Sequence, residues 1–299
     1  ILPPLKGKSI QSIFNAIDPL MEFKPPFIDV TYHREEFVYK KREGGYLEKI
    51  SIRKRPGTVG ICAAIMNHYK VDAVPHIICG GFSREETENA LIDLNFLGID
   101  NVLLLRGDSE KHESHFTPEP GGHAYALDLV EQVVNMNSGT FLDDDLKGVE
   151  PTKFCIGVAG YPEKHFEAPN LNTDISFLKK KVDAGAQYIV TQMFYDNQKY
   201  FDFVNKCRQV GINVPIIPGL KPISTKKQTA ILPKTFFIDI PDDLIQEIEK
   251  CKSDDAVKQA GIDWAVTQAK ELIKFGVPCL HFYTMGSPEN IRKIASQLF

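Results

Sequence analysis

Polar side chains with acid–base and hydrogen-bonding capacity follow a series of short apolar runs in this sequence. Asp108 comes directly after a run of Val and Leu through Arg106-Gly107, and Gln192 follows another β-branched run. A polar group this close to a buried segment needs a partner, because leaving it unpaired costs roughly 1–3 kcal/mol. Either a neighbouring loop or a ligand can supply that partner. The candidates at the ends of such runs are Thr31, Tyr32, His33, His76, Arg106, Gly107, Asp108, Tyr161, His165, Gln192, Lys221, Tyr283 and Thr284.

Several of these residues also have a purely structural interpretation, which the sequence leaves open. His76, after Pro75, fits a hydrogen-bonded core histidine, and Arg106 with Asp108 fits an ion pair at the exit of a strand. Gln192 is harder to explain in this way, because a side-chain amide can take part in up to four hydrogen bonds.

The elements that must position these residues repeat one pattern: an amphipathic helix, a glycine, then a short apolar run. In the clearest copy Ser83 and Glu86 form a capping box, Gly98 ends the helix, and residues 102–105 form a strand apolar on both faces. Further helix–glycine–strand copies are expected at 173–185 before 188–191, at 200–211 before 214–217, and at 265–276 before 279–283. Three more strands are expected at 27–31, 73–78 and 154–159.

Seven strands alternating with helices predict a parallel sheet joined by right-handed crossovers. The two main solutions are a (β/α)8 TIM barrel and an open doubly wound sheet. No GxGxxG follows a strand and no GxxxxGK[ST] occurs, which weakens the open nucleotide-binding sheet. We therefore expect an α/β fold, one TIM-barrel catalytic domain over residues 1–299, with its first strand truncated at the N-terminus. In a barrel, catalytic residues gather at the C-terminal ends of the strands.

Composition excludes several function classes. The 299 residues carry 35 Lys+Arg and 39 Asp+Glu, and this balance gives no electrostatic basis for a nucleic-acid or anionic-membrane partner. No apolar run approaches the roughly 18 residues that a spanning helix needs. The six cysteines are scattered, with neither CxxC pairs nor metal-ligand spacing. We expect a cytoplasmic protein with reduced thiols and no bound metal.

In their order, these motifs resemble the methylenetetrahydrofolate reductase family over nearly the whole chain. The matching segments are Val30-Thr31-Tyr32, Pro75-His76, Leu105-Arg106-Gly107-Asp108, Tyr125-Ala126-Leu127-Asp128-Leu129, Ala159 to His165, Lys181 to Ala186, Thr191-Gln192, Ile217-Pro218-Gly219 and His281-Phe282-Tyr283-Thr284.

The resemblance implies FAD at the mouth of a TIM barrel and a ping-pong cycle. NADH or NADPH would reduce the flavin and leave, and methylenetetrahydrofolate would then take the hydride and depart as methyltetrahydrofolate. In such enzymes the protein positions the cofactor and tunes its electronics. The flavin contacts that the resemblance implies are Thr31, His76, Arg106, Gly107, Asp108, Tyr125, Ala126, Tyr161, His165, Asp174 and Lys181.

The resemblance also gives individual roles to a few residues. Asp108 matches a catalytic carboxylate that makes the reduced flavin a better hydride donor and stabilises a cationic folate. Gln192 matches a catalytic residue that contacts both the pterin and the nicotinamide. Gln228 and Tyr283 match further substrate contacts, and Lys181 is expected to contact the pyrophosphate of FAD, since a compact cation suits a phosphate.

Departures from the family pattern define an alternative. The family's general-acid glutamate would immediately precede Ile1, and such a group contributes about 10²–10⁴-fold to a rate. The alternative is therefore a flavin- and folate-binding barrel with impaired turnover. Leu232 stands where a phenylalanine often stacks on the ligand, and Ser287 where the family has an arginine. The basic segment 34–54 is expected to be an unusually long loop.

A third alternative is an unrelated barrel enzyme, such as a lyase or aldolase, with Lys221 as its Schiff-base lysine. The expected partners are small molecules, namely methylenetetrahydrofolate and NAD(P)H, with no nucleic acid and no membrane. We also expect a homo-oligomer, since these are common in the family. The sequence does not choose between NADH and NADPH.

Overall fold

The computed structural model describes residues 1–109, 113, 115–284 and 288–299, and for Phe37 the backbone alone. The described chain forms two compact units. The first consists of Ile1–Asn15 and Pro25–Cys155, and the second of Ala16–Lys24 and Ile156–Phe299. Helix α1 (Gln11–Ile17) and a 3-10 helix (Asp18–Phe23) precede the first strand.

The first unit contains three parallel strands in the order β1 (Phe27–Val30), β4 (Asp72–Ile78) and β5 (Asn101–Leu105). Their connections carry helices α2 (Thr58–Tyr69) and α3 (Arg84–Phe96), and α4 (Ala126–Asn137) follows β5. The strand interiors are almost entirely buried, as in parallel sheets covered by helices.

The segment predicted as a long basic loop is instead an antiparallel hairpin. Strands β2 (Glu36–Lys41) and β3 (Leu47–Ile52) pair from Glu36 opposite Ile52 to Lys41 opposite Leu47. The turn residues Gly44 and Gly45 both have positive φ, which is typical of tight hairpin turns. The loop prediction was wrong because charged residues interrupt the apolar alternation of these strands.

The second unit contains parallel strands in the order β6 (Cys155–Gly160), β7 (Tyr188–Met193), β8 (Ile216–Leu220) and β9 (His281–Phe282). Its helices are α5 (Leu171–Asp183), α6 (Asn197–Gln209), α7 (Gln228–Phe236), α8 (Asp242–Lys250), α9 (Asp254–Phe275) and α10 (Pro288–Ala295).

Side-chain caps set the helix boundaries. Ser83 accepts a hydrogen bond from the Glu86 amide and Glu86 accepts one from the Ser83 amide, which confirms the capping box. Helix α9 begins eleven residues before the predicted start at Ala265, because Ser253 caps it and two acidic residues favour its first turn.

Each unit has its own apolar interior. In the first, Ile65, Leu91, Leu94 and Leu104 are fully buried between helices and strands. In the second, one cluster gathers Met193, Tyr195, Leu232, Leu244 and Val257, and another packs α9 against α10.

All seven predicted strands are present, and the strands within each unit pair in parallel, so the α/β class is confirmed. Strand β8 is shifted toward Leu220 and β9 is shorter than expected. Closure into an eight-stranded TIM barrel and the single-domain organisation stay predictions.

Candidate functional site

In the first unit, the ends of β1 and β5 carry the predicted polar residues. Thr31 follows β1, and Arg106, Gly107 and Asp108 follow β5. Burial lowers the pKa of the nearby His33, Arg55 lowers it further, and the negative charge of Asp108 opposes both. His33 also feels the charge of His76. Side chains from four segments of this unit are therefore close enough for the other three to influence His33 electrostatically.

His76 lies inside β4 and not at its end, because the strand continues to Ile78. Its Nε2 is 3.7 Å from Oδ2 of Asp29, and the two side chains are 12% and 5% exposed. Asp29 sits on the neighbouring β1, which pairs in parallel with β4. A buried carboxylate beside an imidazole orients the ring. Sequence reasoning missed Asp29, although a single acid inside an apolar strand is itself a signal.

The turn after β5 brings the main chain close to β4. Gly107 has φ +85°, a conformation that glycine adopts readily, and a Cβ there would lie 3.3 Å from the Ile78 side chain. The Arg106 guanidinium carbon is 5.1 Å from the centre of the Phe116 ring, which is a cation–π contact. Asp108 is exposed at this edge.

Tyr125 and Ala126 mark the start of α4. Tyr125 is the N-cap residue, its amide donates to Asp128 Oδ2 at 2.9 Å, and its ring is 63% exposed. Asp128 in the sequence motif therefore caps the helix, and the Tyr125 ring is presented to solvent.

In the second unit, the loop after β6 forms an aromatic cluster. The Tyr161 and His165 rings meet edge to face at 4.9 Å, and His165 contacts Phe166 at 4.7 Å. Phe166 in turn stacks on Phe237 at 4.6 Å. These contacts fix the predicted residues Tyr161 and His165 relative to one another.

The same loop is tied down by a half-buried acid that sequence reasoning missed. Glu163 Oε2 accepts a hydrogen bond from the Asp239 amide at 2.7 Å, and Lys199 Nζ lies 3.4 Å from Oε1. Burial raises the pKa of Glu163. Glu163 lies in the segment Ala159 to His165 that carries the resemblance, but the sequence indicated no role for its side chain.

Helix α5 supplies two further predicted residues. Asp174 Oδ2 accepts from the His165 amide at 2.9 Å, and Lys181 Nζ donates to the Ala159 carbonyl oxygen at 3.0 Å. Burial raises the pKa of Asp174 and lowers that of Lys181 to about 8, an effect that the Asp174 charge partly opposes. Asp174 therefore fixes the loop after β6, and Lys181 contacts the end of β6 itself.

Strand β7 places Gln192 beside a buried hydrogen-bond network. Gln192 Oε1 accepts from the Met193 amide at 3.0 Å. The neighbouring Thr191 is fully buried; its hydroxyl accepts from the Gly219 amide at 2.9 Å, and its carbonyl oxygen accepts from the Tyr283 hydroxyl at 2.7 Å. A Cβ on Gly219 would collide with the Thr191 carbonyl oxygen, so this position requires glycine.

Gln228 and Leu232 lie on α7. Gln228 Oε1 accepts from the Ser224 amide at 2.7 Å and from the Thr225 amide at 3.3 Å, so its carbonyl is used within its own turn. Leu232 is 4% exposed and packs in the core of this unit. Ser287 lies outside the described residues.

Lys221, the lysine of the lyase alternative, follows β8 and is 6% exposed. Burial lowers its pKa. Within the described ranges, no group of three or more His, Cys, Asp or Glu side chains is arranged to hold a metal ion. Nor does any helix in the described part of the chain combine the length and apolarity that a membrane span requires.

Comparison with known proteins places these features in a family. The methylenetetrahydrofolate reductase family model matches residues 1–299. The chain is 36% identical to methylenetetrahydrofolate reductase (NADH) 1 of Arabidopsis thaliana, over 95% of this chain and 45% of that protein. It is 32% identical to 5,10-methylenetetrahydrofolate reductase of Escherichia coli, over 96% of this chain and 85% of that protein. The chain thus spans about half the length of the plant relative and most of the bacterial one.

A solved structure shares the fold at low sequence identity. It is an uncharacterized protein from Clostridium thermocellum that binds two copies of 5-methyl-5,6,7,8-tetrahydrofolic acid. The TM-score is 0.57 at 16% identity, covering 99% of this chain and 91% of that one.

Proposed function

The chain belongs to the methylenetetrahydrofolate reductase family, and we propose that it reduces 5,10-methylenetetrahydrofolate to 5-methyltetrahydrofolate with NAD(P)H through bound FAD. NAD(P)H gives up a hydride, one C–N bond of the methylene bridge opens, and a proton is taken up at the released nitrogen. The products are NAD(P)⁺ and the methylated folate.

The observation that carries this proposal is the match of the family model to all 299 residues. The geometry is consistent with it, because Thr31, Asp108, Tyr161 and Gln192 lie at or next to strand ends in their respective units. Enzymes with parallel α/β folds use this edge of the sheet for ligands.

The residues fit FAD chemically. The Lys181 cation suits a pyrophosphate, and among the described residues its ammonium donates to one protein acceptor, the Ala159 carbonyl oxygen. Arg106 is proposed as a further flavin contact. Gly107 adopts the positive φ of the turn that follows β5. We propose that Thr31, His76, Tyr125, Ala126, Tyr161, His165 and Asp174 complete the flavin contacts. When bound, FAD supplies the two-electron carrier that lets the two substrates react in separate steps.

Two side chains carry the proposed catalytic roles. The Asp108 carboxylate places a negative charge at the end of β5, which stabilises positive charge developing on the folate. Gln192 offers a side-chain amide whose oxygen is fixed by the Met193 amide, so its nitrogen is the group oriented for a substrate. Gln228 and Tyr283 are proposed as further substrate contacts.

Anaerobic half-reactions test the proposal. The purified protein, reconstituted with FAD, is mixed with NADH or NADPH while the visible flavin absorbance is followed, and methylenetetrahydrofolate is then added. We expect bleaching and then recovery, with methyltetrahydrofolate as the product. Failure to bind FAD would refute the proposal. The dinucleotide that bleaches the flavin faster is identified as the co-substrate. We further propose that the protein is cytoplasmic and forms a homo-oligomer. Sedimentation analysis of the same sample tests the oligomeric state.

A further inference from the structure

A cavity of about 530 Å³ lies in the first unit, next to the start of helix α2. Its walls come from the N-terminal segment, the residue that follows hairpin strand β3, the first turn of α2 and one face of α3. His76 reaches it from β4. The volume is in the range of small-molecule sites.

The first turn of α2 presents bare main chain to this cavity. Gly57 is the N-cap residue, Gly60 lies in the first turn, and no side chain caps the helix or places an acid in that turn. A Cβ on Gly60 would meet open space. The first N–H groups of a helix have no partner within it, and with the helix dipole they attract anions.

Thr58 gives a second, independent indication of a ligand. Its side chain is 2% exposed and lines the cavity. Among the hydrogen bonds found in the described part of the chain, none involves its hydroxyl. The hydroxyl is therefore available to donate into the cavity, where a bound anion would accept its hydrogen bond.

Arg53 brings a cation to the same place. Its guanidinium lies so close to Gly57 that a Cβ there would collide with it, and its charge opposes the rise that burial causes in the pKa of Tyr32. Lys8 also lines the cavity, whereas Asp93 supplies an acid on α3. The guanidinium charge and the positive end of the helix dipole therefore lie side by side, and a bound anion would interact favourably with both.

We propose that this cavity is a binding site for a phosphate group, held by the α2 amides, the Thr58 hydroxyl and the Arg53 guanidinium. Arginine matches phosphate with two parallel hydrogen bonds, and the glycines allow the oxygens to reach the main chain. The phosphate comes either from solution or from the 2′-phosphate of a dinucleotide, which has the same phosphomonoester chemistry.

Calorimetric titration of the purified protein with inorganic phosphate, and separately with 2′-AMP, tests the site. We expect binding of one phosphate per chain, weakened at least tenfold by Arg53→Ala and about three- to tenfold by Thr58→Val. Arg42→Ala is the matched control, because Arg42 is an exposed arginine of the hairpin that pairs with Glu48 outside the cavity. Its affinity should stay within twofold of the parent.

The two ligands distinguish the sources. Tighter binding of 2′-AMP than of phosphate identifies a nucleotide, and a lower NADPH-to-NADH ratio of kcat/KM in Arg53→Ala would then follow if the proposed reductase activity holds. Binding of inorganic phosphate alone identifies a free anion. Absence of both, or equal losses in Arg53→Ala and Arg42→Ala, overturns the site. Because binding is measured without turnover, failure of the reductase proposal leaves this result intact.

Discussion

The hydroxyl of Tyr283 donates a 2.7 Å hydrogen bond to the carbonyl oxygen of Thr191, 92 residues earlier in the chain. Thr191 is fully buried on β7 and directly precedes Gln192. Its hydroxyl also accepts from the Gly219 amide of β8. Tyr283 therefore braces the end of the strand that carries the proposed catalytic amide, in addition to any contact it makes with substrate.

Replacement of Tyr283 by phenylalanine removes this brace and keeps the ring. We expect the free energy of unfolding to fall by about 1 kcal/mol, because the buried Thr191 carbonyl oxygen loses its side-chain donor. Urea denaturation at constant pH measures the change. Tyr46→Phe, on the exposed hairpin, is the control and should have no effect. Equal stability of the Tyr283 variant and the parent would contradict the bracing role.

Replacement of Asp108 by asparagine keeps the size of the side chain and removes its charge. We expect oxidation of the reduced enzyme by methylenetetrahydrofolate to slow by about 10²–10³-fold, because electrostatic stabilisation of the developing folate cation is lost. Flavin reduction by NAD(P)H should change less. Stopped-flow absorbance of each half-reaction separates the two effects. Asp100→Asn, on the exposed residue before β5, is the control. Equal slowing of both half-reactions would argue against the role given to Asp108.

Replacement of Gln192 by leucine removes the oriented amide from the end of β7. Because the same side chain is proposed to contact folate and nicotinamide, we expect kcat/KM for both substrates to fall by roughly tenfold or more, the value of one hydrogen bond to a polar substrate group. Steady-state kinetics with each substrate varied in turn measures this. Gln198→Leu, exposed on α6 and bonded to Asp202, is the control. Loss with only one of the two substrates would show that the shared role is wrong.

Much of the fold was predictable because burial in a parallel sheet imposes a simple pattern. The strands at 102–105 and 188–191 are apolar on both faces, and glycines mark the helix ends before them. The β2–β3 hairpin escaped prediction because exposed strands with Lys40 and Glu48 opposite each other show no apolar alternation. Helix α9 was placed too late because its capping residue, Ser253, lies far before the apolar face begins.

The residues of the candidate site stay predictions, and the partners of these residues could not be predicted from the sequence. The sequence singled out Lys181, Asp174 and His165, yet it could not reveal that Asp174 binds the His165 main chain. Likewise Asp29 and Glu163 act through contacts with segments distant in sequence, which no local pattern contains. Such tertiary contacts decide which polar side chains remain available to a ligand.

Lys181 provides a pH-dependent test of this arrangement. Burial lowers its pKa from 10.5 to about 8 in the folded chain. Between those values the unfolded chain binds more protons than the folded one, so the free energy of unfolding should rise as pH increases from 8 to 10. This difference between the two pKa values corresponds to a rise of at most about 3 kcal/mol in the free energy of unfolding. In Lys181→Met this rise should disappear, whereas Lys180→Met, at the exposed neighbouring residue, should retain it. Urea denaturation of the FAD-free proteins at pH 7, 8, 9 and 10 measures how the free energy of unfolding depends on pH. The same dependence in the parent and in Lys181→Met would show that burial does not destabilise the Lys181 ammonium.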